Sequence, residues 1–78
     1  MTNYQPVSCA MHSELELAIM HGKQLKMYFK QLNKTLTLNI IPGDIVTRKD
    51  KGEFLLACNE SGDPIEIRLD AIINFSIL

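Results

Sequence analysis

The sequence predicts a small, mainly β domain in which one N-terminal α-helix covers a bent antiparallel sheet of about five strands. Three observations lead to this fold class. Apolar residues recur with a helical period up to residue 19, the period changes to two after Gly22, and turn-forming residues separate the alternating segments that follow. The length of 78 residues fits one domain, which we take to span 1–78.

The helix is predicted by an apolar stripe and by residues that suit its two ends. The stripe consists of Met11, Leu15, Ala18 and Ile19. Ser8 and Ser13 are both possible N-caps, so a start near residue 9 and a start near residue 14 both stay open. Gly22 stands where a helix-ending glycine belongs, and Pro6 predicts an extended segment before the helix.

Short strands linked by tight turns account for the rest of the chain. Alternating or apolar segments cover residues 25–30, 35–40, 45–47, 54–58, 65–70 and 73–77. Turns are expected at Asn33-Lys34 and at 50–52, and a turn or bend at 42–44. A flat sheet of this size would expose one face and two edges. We therefore expect the sheet to curl into a small barrel, with the helix over an open end or edge.

Composition restricts the classes of protein to which the chain could belong. No apolar run approaches the roughly 20 residues that span a bilayer, and the N-terminus has no signal-peptide pattern, so we expect a cytoplasmic protein that does not bind membranes. The two cysteines, Cys9 and Cys58, are expected to be free thiols. We also expect a monomer, with the helix covering the edge formed by the apolar segment 72–78.

No catalytic, cofactor or metal site is predicted. The phosphate-binding, dinucleotide-binding and zinc-protease motifs are missing, and Cys9 and His12 have no second ligand pair to complete a zinc site. Glu14 and Glu16 are two residues apart and should point in different directions on a helix. His12 and His21 are interpreted as ordinary helix-surface residues. These observations favour a binding protein rather than an enzyme.

Two surfaces could carry such binding. One is the helix face that presents Ser13, Glu16 and Met20. The other is a strand face on which Lys26 and Lys30 flank Tyr28, a pattern that suits phosphates and a stacked base. A solvated polar face is the simpler interpretation of each surface, since amphipathic helices and half-buried strands usually have one. The net charge of −1 combines a basic segment at 23–49 with a mostly acidic one at 50–78.

The order of motifs resembles that of the Rof family of bacterial Rho inhibitors. The more specific motifs are Tyr4-Gln5-Pro6, the pair Arg48-Lys49 before an aromatic strand, and Arg68-Leu69-Asp70. Further matching segments are residues 7–9, 15–18, 44–47, 53–55, 67, 72 and 75–76. At the helix start, residues 10–13 read Ala-Met-His-Ser where the family usually has acidic residues and an aromatic one.

The resemblance implies an Sm-like fold, with a helix before a bent five-stranded barrel. It also implies an antiterminator that occupies the primary RNA-binding site in the N-terminal region of transcription terminator Rho, and thereby inhibits Rho-dependent termination. The partner would be Rho rather than DNA. The implied contact residues are His12, Ser13 and Glu16 on the helix and Arg48, Lys49 and Asp50 in a loop. The alternative function is an Sm-like module that binds RNA directly through the strand face of Lys26, Tyr28 and Lys30.

Overall fold

The computed structural model describes residues 8–78, so the extended start predicted around Pro6 and the Tyr4-Gln5-Pro6 motif lie outside the described residues. The elements in chain order are helix α1 (Cys9–His21), strands β1 (Leu25–Gln31), β2 (Lys34–Arg48), β3 (Gly52–Asn59) and β4 (Pro64–Arg68), a short 3-10 helix (Leu69–Ala71) and strand β5 (Ile72–Ile77). The predicted class, one helix followed by a five-stranded antiparallel sheet, is confirmed. The α-helix of the described residues is too short to cross a membrane.

The sheet is bent but does not close into a barrel. Its strands follow the order β4-β3-β2-β1-β5, and all neighbouring strands are antiparallel. β4 and β5 follow each other in the chain yet form the two edges of the sheet, joined by the 3-10 helix. Arg68 and Asp70 form a two-pronged ion pair across this corner, with both N–O distances 2.6 Å, and Leu69 between them is fully buried. The Arg68-Leu69-Asp70 motif therefore holds a corner of the fold.

Both ends of α1 are capped by side-chain and backbone hydrogen bonds. The Ser8 hydroxyl accepts a hydrogen bond of 3.1 Å from the Met11 amide, so the earlier of the two possible starts is correct and Ser13 lies inside the helix. At the other end Gly22 takes the left-handed conformation, with φ of 62°. The next amide, that of Lys23, donates to the Ala18 carbonyl at 3.0 Å, which satisfies one of the last helical carbonyls.

β2 is one strand of 15 residues rather than two short ones. The predicted turn or bend at 42–44 is a β-bulge, because Pro42 lies opposite Ala57 and Asp44 opposite Leu56, so that Gly43 is the extra residue. A Cβ atom at Gly43 would lie 3.3 Å from the Leu56 carbonyl oxygen, so the glycine allows a close approach of the two backbones. A bulge bends its strand, and β2 pairs with β1 before the bulge and with β3 across and after it.

The β1–β2 turn lies one residue earlier than predicted. It consists of Leu32 and Asn33, with φ of 51° and 66°, and Lys34 already pairs with Gln31. Positive φ at both central residues is the signature of a tight hairpin turn whose twist matches that of the strands. Leu32 is 89% exposed, so the turn places an apolar side chain in solvent. The turn predicted at 50–52 is confirmed and occupies residues 49–51.

The core lies between α1 and the concave side of the sheet. The predicted helical stripe is confirmed: Leu15 and Ala18 are buried, and Met11 and Ile19 pack against the core. The sheet contributes Leu25, Met27, Phe29, Ile40, Leu55, Ala57, Ile67 and Ile72. Burial of one large aliphatic side chain such as Leu15 contributes about 1.5–3 kcal/mol, so this contact fixes the helix against the sheet.

Replacement of Gly22 tests the helix end. Gly22→Ala is expected to lower the free energy of unfolding by about 1 kcal/mol, because a left-handed conformation is unfavourable for a residue with a Cβ atom. Apart from its neighbours in the chain, no atom lies within 4 Å of the position that this Cβ would take, so the effect is conformational rather than steric. Urea denaturation measures it. Gly22→Asn is the matched control and should lose less of the free energy of unfolding, since Asn tolerates this conformation. An equal loss in both variants would contradict the left-handed conformation of residue 22.

Candidate partner-binding site

A cleft of roughly 400 Å³ separates α1 from the β2–β3 hairpin. It is lined by His12, Glu16, Ile19 and Met20 from α1, by Asp44, Ile45 and Thr47 from β2, and by Glu53 from β3. The lining combines three carboxylates and one imidazole with apolar side chains from both walls. The cleft therefore offers negative charge beside apolar surface, which suits a partner that carries positive charge.

His12 connects the two walls of this cleft. Its Nδ1 atom lies 2.5 Å from Glu16 Oε1, one helical turn away, and its Nε2 atom lies 2.9 Å from Glu53 Oε2 on β3. The two ring nitrogens can both donate hydrogen bonds only when the imidazole is protonated. The bond to Glu53 raises the pKa of His12 above its ordinary value of 6.5, partial burial opposes the rise, and the bond to Glu16 adds to it.

The carboxylates of the cleft are positioned by different elements. Glu16 is carried by the helix, and its side chain is 56% exposed. Glu53 lies opposite Thr47 in the β2–β3 ladder and is half-buried. Asp44 follows the bulge, and its Oδ1 accepts a hydrogen bond of 2.8 Å from the Ile45 amide. Even with His12 protonated, the ionised carboxylates leave the cleft with net negative charge.

The helix residues predicted to contact a partner are placed differently from one another. His12 and Glu16 line the cleft, whereas Ser13 is exposed on α1 and is not part of the lining. His12 was predicted to be an ordinary surface residue, but its side chain is only 32% exposed and holds two carboxylates. It therefore positions the acidic groups instead of standing free in solvent.

The predicted loop residues lie at the end of the β2–β3 hairpin, and none of them lines the cleft itself. Arg48 is the last residue of β2 rather than part of a loop; its Nη2 atom is 3.0 Å from Glu66 Oε2, and its guanidinium carbon is 5.4 Å from the centre of the Phe54 ring. Lys49 and Asp50 are exposed in the tight turn that follows. Since Glu53 is at the start of β3, this turn projects from the hairpin that forms one wall of the cleft.

Sequence reasoning missed Glu53 and Asp44 as members of the site. For Glu53 a signal was present, because strand alternation places it on the same face as the buried residues Leu55 and Ala57. A charged side chain on the buried face of a strand requires a partner, and His12 is that partner. Asp44 gave no comparable signal, since the segment 42–44 was interpreted as a turn or bend.

A second groove, of roughly 540 Å³, lies between α1 and the edge strand β5. Leu17 and Ala18 face Phe75 and Ile77 across it, and Glu14 lies on its border. Glu14 and Glu16 thus line different grooves, as their spacing predicted. Ile77 remains 61% exposed, so α1 borders this edge without covering it. The monomeric state stays a prediction.

Cys9 and Cys58 are free and exposed, which confirms the expectation of free thiols.

Comparison with known proteins places most of this chain in one family. The family described as "Modulator of Rho-dependent transcription termination (ROF)" matches residues 6–78. "Protein rof" of Escherichia coli (strain K12) is 37% identical over 73 residues, which cover 94% of this chain and 81% of that protein. "Protein rof" of Shigella flexneri matches with the same values.

A solved structure shows the same fold within a larger protein. The proteasome accessory factor B/C (PafBC) of Arthrobacter aurescens superposes with a TM-score of 0.78 and 18% sequence identity, and the match covers 96% of this chain but only 12% of that one. Identity this low shows a shared fold and carries nothing about function. The bent sheet with its helix is thus an architecture that also occurs as a small part of a longer chain.

The His12 contacts predict a pH dependence of stability. Because the folded-state pKa is raised, the stabilisation is fully present below pH 6.5 and is lost as the pH rises through the folded-state value. His12→Gln should therefore unfold more easily than the unmodified chain at low pH, by about 1 kcal/mol or less for such partly exposed pairs, and the difference should shrink above neutral pH. Urea denaturation across this range measures it. His21→Gln, which removes an imidazole outside the cleft, is the matched control. A difference in unfolding free energy between His12→Gln and the unmodified chain that is independent of pH would contradict the prediction.

Proposed function

Because this chain belongs to the ROF family of modulators of Rho-dependent transcription termination, we propose that it acts by binding the termination factor Rho in the bacterial cytoplasm. The match over residues 6–78 is the observation that carries this proposal, since it includes every residue that lines the acidic cleft. Binding alone suffices for such a function, and one copy of the chain is sufficient to supply the surface.

We propose further that the chain occupies the primary RNA-binding site in the N-terminal region of Rho and so inhibits termination. A site for single-stranded RNA combines a positive groove with stacking surfaces. The cleft supports this assignment, because Glu16, Asp44 and Glu53 could take the places of phosphates, while Ile19 and Met20 offer apolar surface beside them. Carboxylates and phosphates both accept charge-assisted hydrogen bonds from arginine and lysine.

The residues of the cleft have distinct roles in this proposal. Glu16 is more exposed than Glu53 and would make the leading contact with a basic side chain of Rho. Glu53 would make a second contact, from the opposite wall. His12 is a positioning residue, because it fixes both carboxylates by direct hydrogen bonds. Lys49 and Asp50, at the exposed turn, would contact Rho at the rim of the same surface.

Co-migration with purified Rho on size exclusion tests the partner. We expect a complex in low salt that pyrimidine-rich RNA displaces, because both ligands would occupy one site. The absence of a complex at tens of micromolar protein would exclude Rho as a useful partner. A complex that forms equally well on RNA-loaded Rho would keep the partner but contradict the proposed site.

Replacements that remove one negative charge test which surface binds Rho. Glu16→Gln and Glu53→Gln should each weaken Rho binding by about tenfold, which corresponds to about 1.4 kcal/mol, because each removes one carboxylate from the cleft. Glu14→Gln is the matched control: it removes the same charge from the same helix but lies at the other groove, so its affinity should be unchanged. Isothermal titration gives the affinities, and melting curves show that each variant is folded. If Glu14→Gln weakened binding as much as Glu16→Gln, the cleft would not be the contact surface.

A further inference from the structure

The β1–β2 hairpin carries a charge opposite to that of the acidic cleft. Between residues 23 and 43 the ionisable residues are Lys23, Lys26, Lys30, Lys34 and Tyr28, with no Asp or Glu. The carboxylates Glu16, Asp44 and Glu53 lie together at the cleft instead. A chain with a net charge of only −1 therefore presents one acidic surface and one basic surface. Segregation of this kind favours partners of opposite sign at the two surfaces.

The basic surface is the outward face of the sheet. Leu25, Met27 and Phe29 are buried, so the alternate residues of β1, which are Lys26, Tyr28 and Lys30, point away from the core. Their cross-strand neighbours are Asn39, Thr37 and Thr35 on β2, and Ser76 and Asn74 on β5. Every one of these side chains is polar and none is acidic, so three adjacent strands form one face of lysines, a phenol, hydroxyls and amides.

The aromatic ring lies between the two charges of this face. Alternate residues of a strand are about 6.6 Å apart, so Lys26 and Lys30 are separated by about 13 Å, with Tyr28 midway. The Lys26 ammonium is 5.8 Å from the centre of the Tyr28 ring. Exposed pairs of this kind are weak, so the ammonium is able to exchange the ring for a phosphate. Tyr28 itself is half-buried, which fixes its ring in the sheet while leaving part of it accessible.

We propose that this face, centred on Lys26, Tyr28 and Lys30, binds single-stranded nucleic acid. The two ammonium groups would contact phosphates, and the ring between them would stack on a base. Hydroxyl and amide groups of the neighbouring strands would accept and donate hydrogen bonds at base edges or sugars. Single-stranded nucleic acid combines regularly spaced negative charge with exposed planar bases, whereas an acidic peptide offers only the charge.

A carboxylate at the border of the face, that of Glu60, supplies a sensitive control. Glu60, in the turn after β3, accepts a hydrogen bond of 3.3 Å from the Asn39 amide group. Its negative charge opposes the approach of a phosphate. Removal of this charge by Glu60→Gln should therefore strengthen binding, while Lys26→Gln and Lys30→Gln should weaken it. If loss of the negative charge strengthens binding and loss of a positive charge weakens it, the nucleic acid lies on this face.

Fluorescence anisotropy with a labelled U-rich RNA of about 12 nucleotides and the full chain tests the proposal. We expect micromolar binding in low salt, with a slope of log K against log salt of about −0.7 for each phosphate contacted. Lys26→Gln should make this slope less steep by about 0.7, because one phosphate contact is lost. Tyr28→Leu should weaken binding at least about fivefold, whereas Tyr28→Phe, which keeps the ring, should not. DNA of the same sequence shows whether sugar contacts favour RNA.

Several results would overturn the proposal. These are a flat titration in low salt, equal binding by the Tyr28→Leu and Tyr28→Phe variants, or poly-glutamate competing as well as the RNA, which would indicate an acidic protein as the ligand. Rho is absent from this assay, so failure here leaves the proposed Rho contact intact. Conversely, the lysine and tyrosine variants should retain their Rho affinity on size exclusion, which keeps the two surfaces distinguishable.

Discussion

The bend in β2 is the constraint on which the rest of the structure depends. A single strand joins the two halves of the sheet, and the bulge at 42–44 bends it where its pairing passes from β1 to β3. The close backbone contact between Gly43 and Leu56 makes this geometry possible. The bend gives the sheet a concave side that a helix of only 13 residues can fill with Leu15 and Ala18. A flat sheet of this size would leave that apolar side in water.

The same bend separates the two charged surfaces. The half of β2 before the bulge contributes hydroxyl and amide side chains beside the lysines of β1, and the half after it contributes Asp44 and one wall of the acidic cleft. His12 keeps the cleft from being a simple cluster of like charges, because its two ring nitrogens face Glu16 and Glu53. Repulsion between the carboxylates is thereby reduced, while negative charge remains for a partner.

Local patterns predicted the elements of the fold, and long-range contacts accounted for what they missed. Periodicity identified the helix stripe and the strands, and Gly22 was assigned correctly because a left-handed helix end requires little beyond the residue itself. The segment 42–44 has the residues of a turn, but in a paired strand they serve a bulge, which only the partner strand reveals. Part of the candidate site was predictable, since His12 and Glu16 followed from the family resemblance. The contact between His12 and Glu53 was not, because it joins residues 41 positions apart in the chain.

The position of β5 beside β1 has a consequence for how the domain assembles and opens. The hairpins β1–β2, β2–β3 and β3–β4 join strands that are neighbours in the chain, so each closes a short loop. β5 instead pairs with β1, with Ile77 opposite Leu25, and this ladder closes a loop that contains nearly the whole sheet. Non-local pairing is slow, because loop-closure entropy is lost before contacts compensate for it. Detachment of β5 alone would leave three hairpins intact, but it would turn β1 from an interior strand into an edge strand with an unpaired backbone.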